Sequence, residues 1–411
     1  MNPRQMTVED DVMEKRFRFN RLELAGSLGD LGTLLPIAIA MVLVNGLNPL
    51  GLFFSIGVFY ILSGVYFGVT VPVQPMKVIG AYAIATSLNA DQILASTLLM
   101  GIFLLIVGAT GAIDVIRRIT PKAVIRGVQL STGALLIAGG IKFIIGTSKF
   151  QELQGAVEPY LALQSIGPVP VSLVIGAVAG IITLLLLDNR TFPAGLIVVL
   201  GGLLAGLALG ARVDIDAGLA GFHLPDVLPF GFPGQADFTF ALFALVLPQL
   251  PMTLGNAVLA YTDLSKEYFG ERSKQVTNRK ACMSMALANF FSFCLGGMPL
   301  CHGAGGLAAH YRFGARTAGS NLMIGLIFAG LAILLGTNIV DVLNLLPMAV
   351  LGVLLVFAGS QLTLTIMDLD QRKDLFVATL ILGITLATNL GAGFITGMIV
   401  AQVLKWEKLS V

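Results

Sequence analysis

The chain has 411 residues, of which 56% are hydrophobic and 12% charged, and its net charge is +2. Soluble globular proteins carry roughly 25% charged residues, so a water-soluble fold is excluded, and so small a net charge implies no nucleic-acid partner. Residues 1–21 are polar, with no apolar run ahead of a small-residue cleavage site, so they read as a cytoplasmic segment rather than a cleaved signal. Fourteen apolar segments follow, at 22–45, 50–70, 75–88, 92–113, 123–145, 169–187, 193–211, 238–262, 278–295, 301–313, 317–336, 342–363, 373–388 and 390–406. The third and tenth are too short for a hydrocarbon core that needs roughly 20 apolar residues. Each follows a break marked by Pro or Gly. Cys282, Cys294 and Cys301 form no CxxC pair, and His302 and His310 are not spaced to share a helix face, so neither metal nor cofactor is expected. No HExxH or GxSxG motif points to an enzyme.

Charge placement orients these segments. With the N-terminus cytoplasmic, 21 of the 25 basic residues fall inside, Lys142, Lys149 and Arg212 fall outside, and Lys77 lies within an apolar run. That alternation fits the positive-inside rule and puts both termini in the cytoplasm. The 212–237 loop, with four aspartates and one arginine, fits the outer side.

The two halves repeat each other weakly at a constant offset. The stretch from Pro121 to Val128 resembles that from Pro347 to Val353, and Ser27–Asp30 resembles Thr253–Asn256, both at an offset of 226; Pro72 matches Pro299 at 227. Seven segments per repeat give halves of opposite topology. The fold class expected is therefore an all-α polytopic membrane protein of fourteen segments in a seven-plus-seven inverted repeat, with segments 3 and 10 as short half-helices. Paired interrupted segments in inverted repeats mark the binding site of secondary transporters.

Segment 3 opens on a β-branched, proline-punctuated stretch, Val69 to Lys77, and segment 10 on a glycine-rich one, Gly297 to Gly306. Both helix N-termini then point at the midplane, each contributing roughly half a positive charge and free N–H donors. With Lys77 the sum is about two positive charges, which matches a dianion. Gln74 is the candidate ligand contact on segment 3, and Cys301 is its repeat mate. Asp30 in span 1, its mate Asn256 in span 8, and His302 at the segment 10 break are candidates for the site or for proton coupling. Competing readings are a snorkelling or structurally paired Lys77, a capping Gln74, a buried Cys301 and a core His302. Gly26, Gly29 and Gly32 recur every third residue, as in close helix packing. Arg312 and Arg316, one turn apart, read as an inner-face anchor.

Gly29–Thr33, Pro72-Val-Gln-Pro-Met-Lys77, Pro299–Gly306 and Tyr311–Ala315 together resemble the molybdate transporters related to the SulP sulfate permeases, over nearly the whole chain. The resemblance implies the uracil-permease-type fold. It implies a transport core at 22–113 and 238–336, and a gate or scaffold domain at 114–211 and 337–411 that forms the dimer interface. It implies an oxyanion site between segments 3 and 10, carried by Gln74, Met76, Lys77, Cys301, His302 and Gly303 with Asp30 and Asn256. Full-length sulfate permeases append a STAS domain, whereas this chain stops at Val411. The expected function is import of molybdate across the cell membrane, by elevator-type alternating access, with protons coupled through Asp30 or His302. The alternative is a sulfate or other anion carrier, or a channel, on the same scaffold.

Overall fold

The structure, a computed structural model, describes residues 16–113, 120–187, 189, 192–211 and 221–406. Arg4, Lys15, Arg117, Arg118, Arg190, Arg212 and Lys408 of the charge pattern, and the first part of the 212–237 loop, lie outside the described residues.

The first span begins as α1 (Arg21–Leu28), where the Asn20 side chain accepts from the Glu23 N–H, and resumes as α2 (Leu31–Leu43) after a bend of 49°. Gly29 and Asp30 interrupt the 22–45 segment, and Asp30 takes the N-cap position of α2. α3 (Pro49–Phe67) starts on an Asn48 cap with Pro49 in its first turn, where a missing N–H loses nothing, and ends on Gly68 in the left-handed region. Strand β1 (Gln74–Pro75) runs into α4 (Lys77–Thr86), and then come α5 (Ala90–Thr110), α6 (Lys122–Ile145) and α7 (Lys149–Gln154). A small hairpin, β2 (Ser165–Ile166) and β3 (Val169–Pro170), leads to α8 (Val171–Leu186) and α9 (Ala194–Ala208).

The second half opens on α10 (Gln235–Ser273), longer than the 238–262 expected and π-helical at Ala241–Val246 and Thr253–Ala260. Pro248 and Pro251 lie inside it, and a proline that cannot donate disturbs the regular ladder. α11 (Asn278–Cys294), β4 (Leu300–Cys301), α12 (Ala304–Phe313), α13 (Ala318–Leu335), α14 (Ile339–Asn344), α15 (Met348–Thr363), α16 (Arg372–Ala387) and α17 (Leu390–Val403) complete the chain. Among the described residues six helices are long and apolar enough to cross a membrane, or seven if α1 and α2 count as one bent span. α4, α8, α9 and α17 are shorter apolar helices. The result is a mostly helical membrane fold.

Packing falls into two groups. α3 lies along α13 and α5 along α11, while α6 lies along α15 and α16. The α6–α15 contact is close because Gly133 and Gly359 meet reciprocally: a Cβ on either would sit 2.6 Å from the other's carbonyl oxygen. The groups touch where α4 meets α6 and α2 meets α15, and where α2 meets α9, again through glycine: a Cβ on Gly195 would lie 2.2 Å from the Cα of Gly32.

Candidate functional site

β1 and β4 pair antiparallel, Gln74 opposite Cys301 and Pro75 opposite Leu300. Each strand feeds a ten-residue helix, α4 after Met76 and α12 after Gly303. Two helix N-termini are thereby brought to one place.

The two ends differ. In α4 the N–H groups of Val78 and Ile79 donate to Gln249 Oε1 at 2.9 and 3.2 Å, and Gln249 Nε2 donates to Thr253 Oγ1 at 2.8 Å. The free donors expected there are thus partly taken by a side chain of α10. The first turn of α12 has no side-chain cap, and its Gly305 borders open space.

Gln74 Nε2 donates to both oxygens of Asp30 at 2.8 Å, and both residues are buried. A Cβ on Gly303 would lie 2.1 Å from Gln74 Oε1, and one on Gly306 would lie 2.5 Å from Asp30 Oδ2. Only glycine fits against this pair. Gln74 Oε1 itself is buried with no partner among the described residues, and such an acceptor is destabilising by about 1–3 kcal/mol unless something fills it. Lys77, the first residue of α4, is in neither of the two ion pairs found among the described residues, Arg126–Asp368 and Lys266–Asp263.

A cavity of about 330 Å³ is bordered by Asp30, Gln74, Lys77 and Gly305 and extends to Asn189 and Arg312. A second, of about 170 Å³, is bordered by Lys77 and Asn256. Thr33, Lys77, Gly305, Ala358 and Gln361 border both, so the two adjoin. Asp30, Gln74, Lys77 and Asn256 are thus brought together around open space.

Four other candidates stand behind that wall. Met76 is fully buried, its N–H donating to Pro299 O at 3.0 Å. Cys301 Sγ points to Pro75 O at 3.6 Å. Gly303 packs on Gln74. His302 is buried, with Nδ1 3.0 Å from Pro72 O and Nε2 3.2 Å from Ser284 Oγ, and its ring lies among Phe59, Phe67 and Tyr261. His302 therefore knits the two breaks together, away from the cavities. Thr33, Gln249 and Gln361 were not singled out from the sequence, although a lone glutamine in an apolar run was the available signal.

Comparison with known proteins follows the same lines. The family described as "Molybdate transporter of MFS superfamily" matches residues 22–136 and 241–362. Molybdate transporter 1 of Chlamydomonas reinhardtii is 30% identical, over 94% of this chain and 92% of the relative. Molybdate transporter 1 of Arabidopsis thaliana is 29% identical, over 94% and 89%. Among solved structures, the transmembrane domain of the cyanobacterial bicarbonate transporter BicA superposes with a TM-score of 0.65 at 17% identity, over 93% of this chain and 97% of that one. Murine Slc26a9, an anion transporter in its inward-facing state, gives 0.63 at 14% identity, over 99% and 76%.

Proposed function

The chain belongs to the molybdate transporter family, and from that premise we propose that it imports a tetrahedral oxyanion, molybdate first, held between the N-terminal ends of α4 and α12. The family is one of transporters, not enzymes. The observation that carries the reading is that Lys77 and the uncapped turn of α12 border the same cavity. Gln361 and Thr33 line it too.

Charge bookkeeping gives Asp30 a role. Lys77 and the two helix ends supply about two positive charges, less what the Gln249 carbonyl offsets at α4. An ionised Asp30 cancels one of them, and a protonated Asp30 does not. Counting only the groups at the helix ends, and not Arg312, which also lines the cavity, a dianion is best matched when a proton arrives with it, which supports oxyanion–proton symport. His302, enclosed by aromatic rings, is the weaker candidate for that proton.

Alternating access by an elevator-like shift of the core, 22–113 with 238–336, against the gate, 114–211 with 337–411, is supported by the bare backbone contact of Gly32 with Gly195. The seven-plus-seven inverted repeat of fourteen segments is supported by Gly133 and Gly359, which are 226 residues apart and meet reciprocally. It is supported too by packing in which α3 on α13 mirrors α11 on α5. The basic pattern supports a cell-membrane protein with both termini cytoplasmic.

Uptake into proteoliposomes tests all of this. Labelled molybdate should enter saturably, faster with an inward-directed proton gradient, and Asp30→Asn should lose that acceleration. Excess sulfate that abolished molybdate uptake would move the substrate to sulfate. Uptake that never saturated would replace the carrier with a channel.

A further inference from the structure

We propose that the groove between α3 and α11 is a binding site for one anionic phospholipid. The groove, about 630 Å³, is lined almost wholly by apolar side chains, among them Val58, Leu62, Met283 and Leu287. Leu62 and Leu287 are 62% and 63% exposed, so in a bilayer its mouth opens onto lipid. One end is basic. Lys280 lines it, stands 5.9 Å from the ring of Tyr66, and hydrogen-bonds to Gln275.

Tyr66 and Gln275 also line a neighbouring cleft of about 550 Å³ that carries Arg16, Arg272 and Lys274 against a single acid, Glu271. The surface therefore places an apolar groove beside a pocket of excess positive charge, Tyr66 lining both. That is the chemistry of an acyl chain joined to a phosphate headgroup, on the basic face of the membrane. Free phosphate would use only the cleft, and a zwitterionic lipid would gain little from the lysines. The floor of the groove reaches the β1–β4 junction: Phe59 stacks on His302 at 4.9 Å, and Ser284 contacts its Nε2. A seated chain thus presses on the side chain that ties β1 to β4.

The test uses full-length protein, delipidated in detergent and titrated with phosphatidylglycerol, with phosphatidylcholine of identical chains, and with glycerol 3-phosphate, native mass spectrometry counting adducts. Phosphatidylglycerol should fill one site at least about tenfold more tightly than phosphatidylcholine, since each nearby lysine contributes about fivefold. Lys274→Gln with Lys280→Gln should cut that preference at least about fivefold, the remainder resting on Arg16 and Arg272, and Ala288→Phe, which fills the groove, should weaken both. Equal binding of the two lipids by the wild type overturns the proposal, as does a preference undiminished in the double variant. Glycerol 3-phosphate binding as tightly as the lipid would assign the cleft to a free anion. Dimerisation in place of lipid adducts would assign the groove to a second copy. The wild-type comparison decides the matter even if a variant fails to fold.

Discussion

Replacing Gly303 with alanine perturbs the site through one atom. The added Cβ would lie 2.1 Å from Gln74 Oε1, and ordinary contact begins at 3.4 Å, so the amide must retreat by 1.3 Å. An amide is a rigid plane, so Nε2 turns with its oxygen, and at least one of the two 2.8 Å bonds to Asp30 breaks. A hydrogen bond to a charged group contributes about 1.5–3 kcal/mol. If the Asp30–Gln74 pair shapes the oxyanion site, Gly303→Ala should therefore weaken molybdate binding between about 10- and 150-fold. Calorimetry on the detergent-purified protein measures it. Gly255→Ala is the matched control: it neighbours Asn256, but a Cβ there meets nothing within 4 Å. Its affinity should stay within a few-fold of wild type. Wild-type affinity in Gly303→Ala, or equal losses in both variants, would refute the reasoning.

Lys77→Met should abolish molybdate-dependent thermal stabilisation, and Lys77→Arg should keep part of it; stabilisation retained in Lys77→Met would remove the lysine from the site. Gln249→Ala leaves the N–H groups of Val78 and Ile79 unpaired, so it should destabilise the protein by about 1–3 kcal/mol, read as a lower thermal midpoint with and without molybdate. Glu158, in the loop ahead of α8, accepts from the N–H groups of Met348 and Ala349 at 2.7 and 2.9 Å. Burial nonetheless lifts its carboxyl from 4.5 to about 7. The folded state thus holds this proton more tightly than the unfolded chain, and its contribution to stability is full below pH 4.5, falls as pH rises towards 7, and is flat above. Glu158→Gln should flatten the thermal midpoint across that window relative to wild type, and an unchanged slope would exclude Glu158 as its source.

Much of the candidate site was legible because membranes punish irregularity. A proline-marked break before Lys77 and a glycine-marked break before Ala304 stand out against apolar runs, and both proved to be strands feeding short helices. Charge in an apolar run marked Lys77 and Asp30 for the same reason. The bend at Gly29 was less visible, because a glycine that packs and a glycine that kinks leave the same letter. The Gln249 cap was invisible: its partners are 171 and 170 positions away, and no local pattern records a contact made across the fold. His302 shows the opposite difficulty. Its position beside the break suggests chemistry, but Phe59, Phe67 and Tyr261 converge on it from elsewhere in the sequence and enclose its ring.

The β1–β4 ladder also constrains how the protein is made. Gln74 and its partner Cys301 are separated by 227 residues of synthesis, roughly 10–45 s at about 5–20 residues per second. The extended backbone around β1 depends on what comes late: Asn321 bonds both the N–H and the carbonyl of Val71, and Pro299 O receives the Met76 N–H. From its own half it gains the Tyr60 hydroxyl on Val73. β4 is provided for early, since Asn289, eleven residues before it, bonds both backbone groups of Leu300. Exposed, non-helical backbone is not tolerated in lipid. The first half of the nascent chain must therefore keep its third segment sheltered, within the insertion machinery or at the membrane surface, until the second half arrives to receive it.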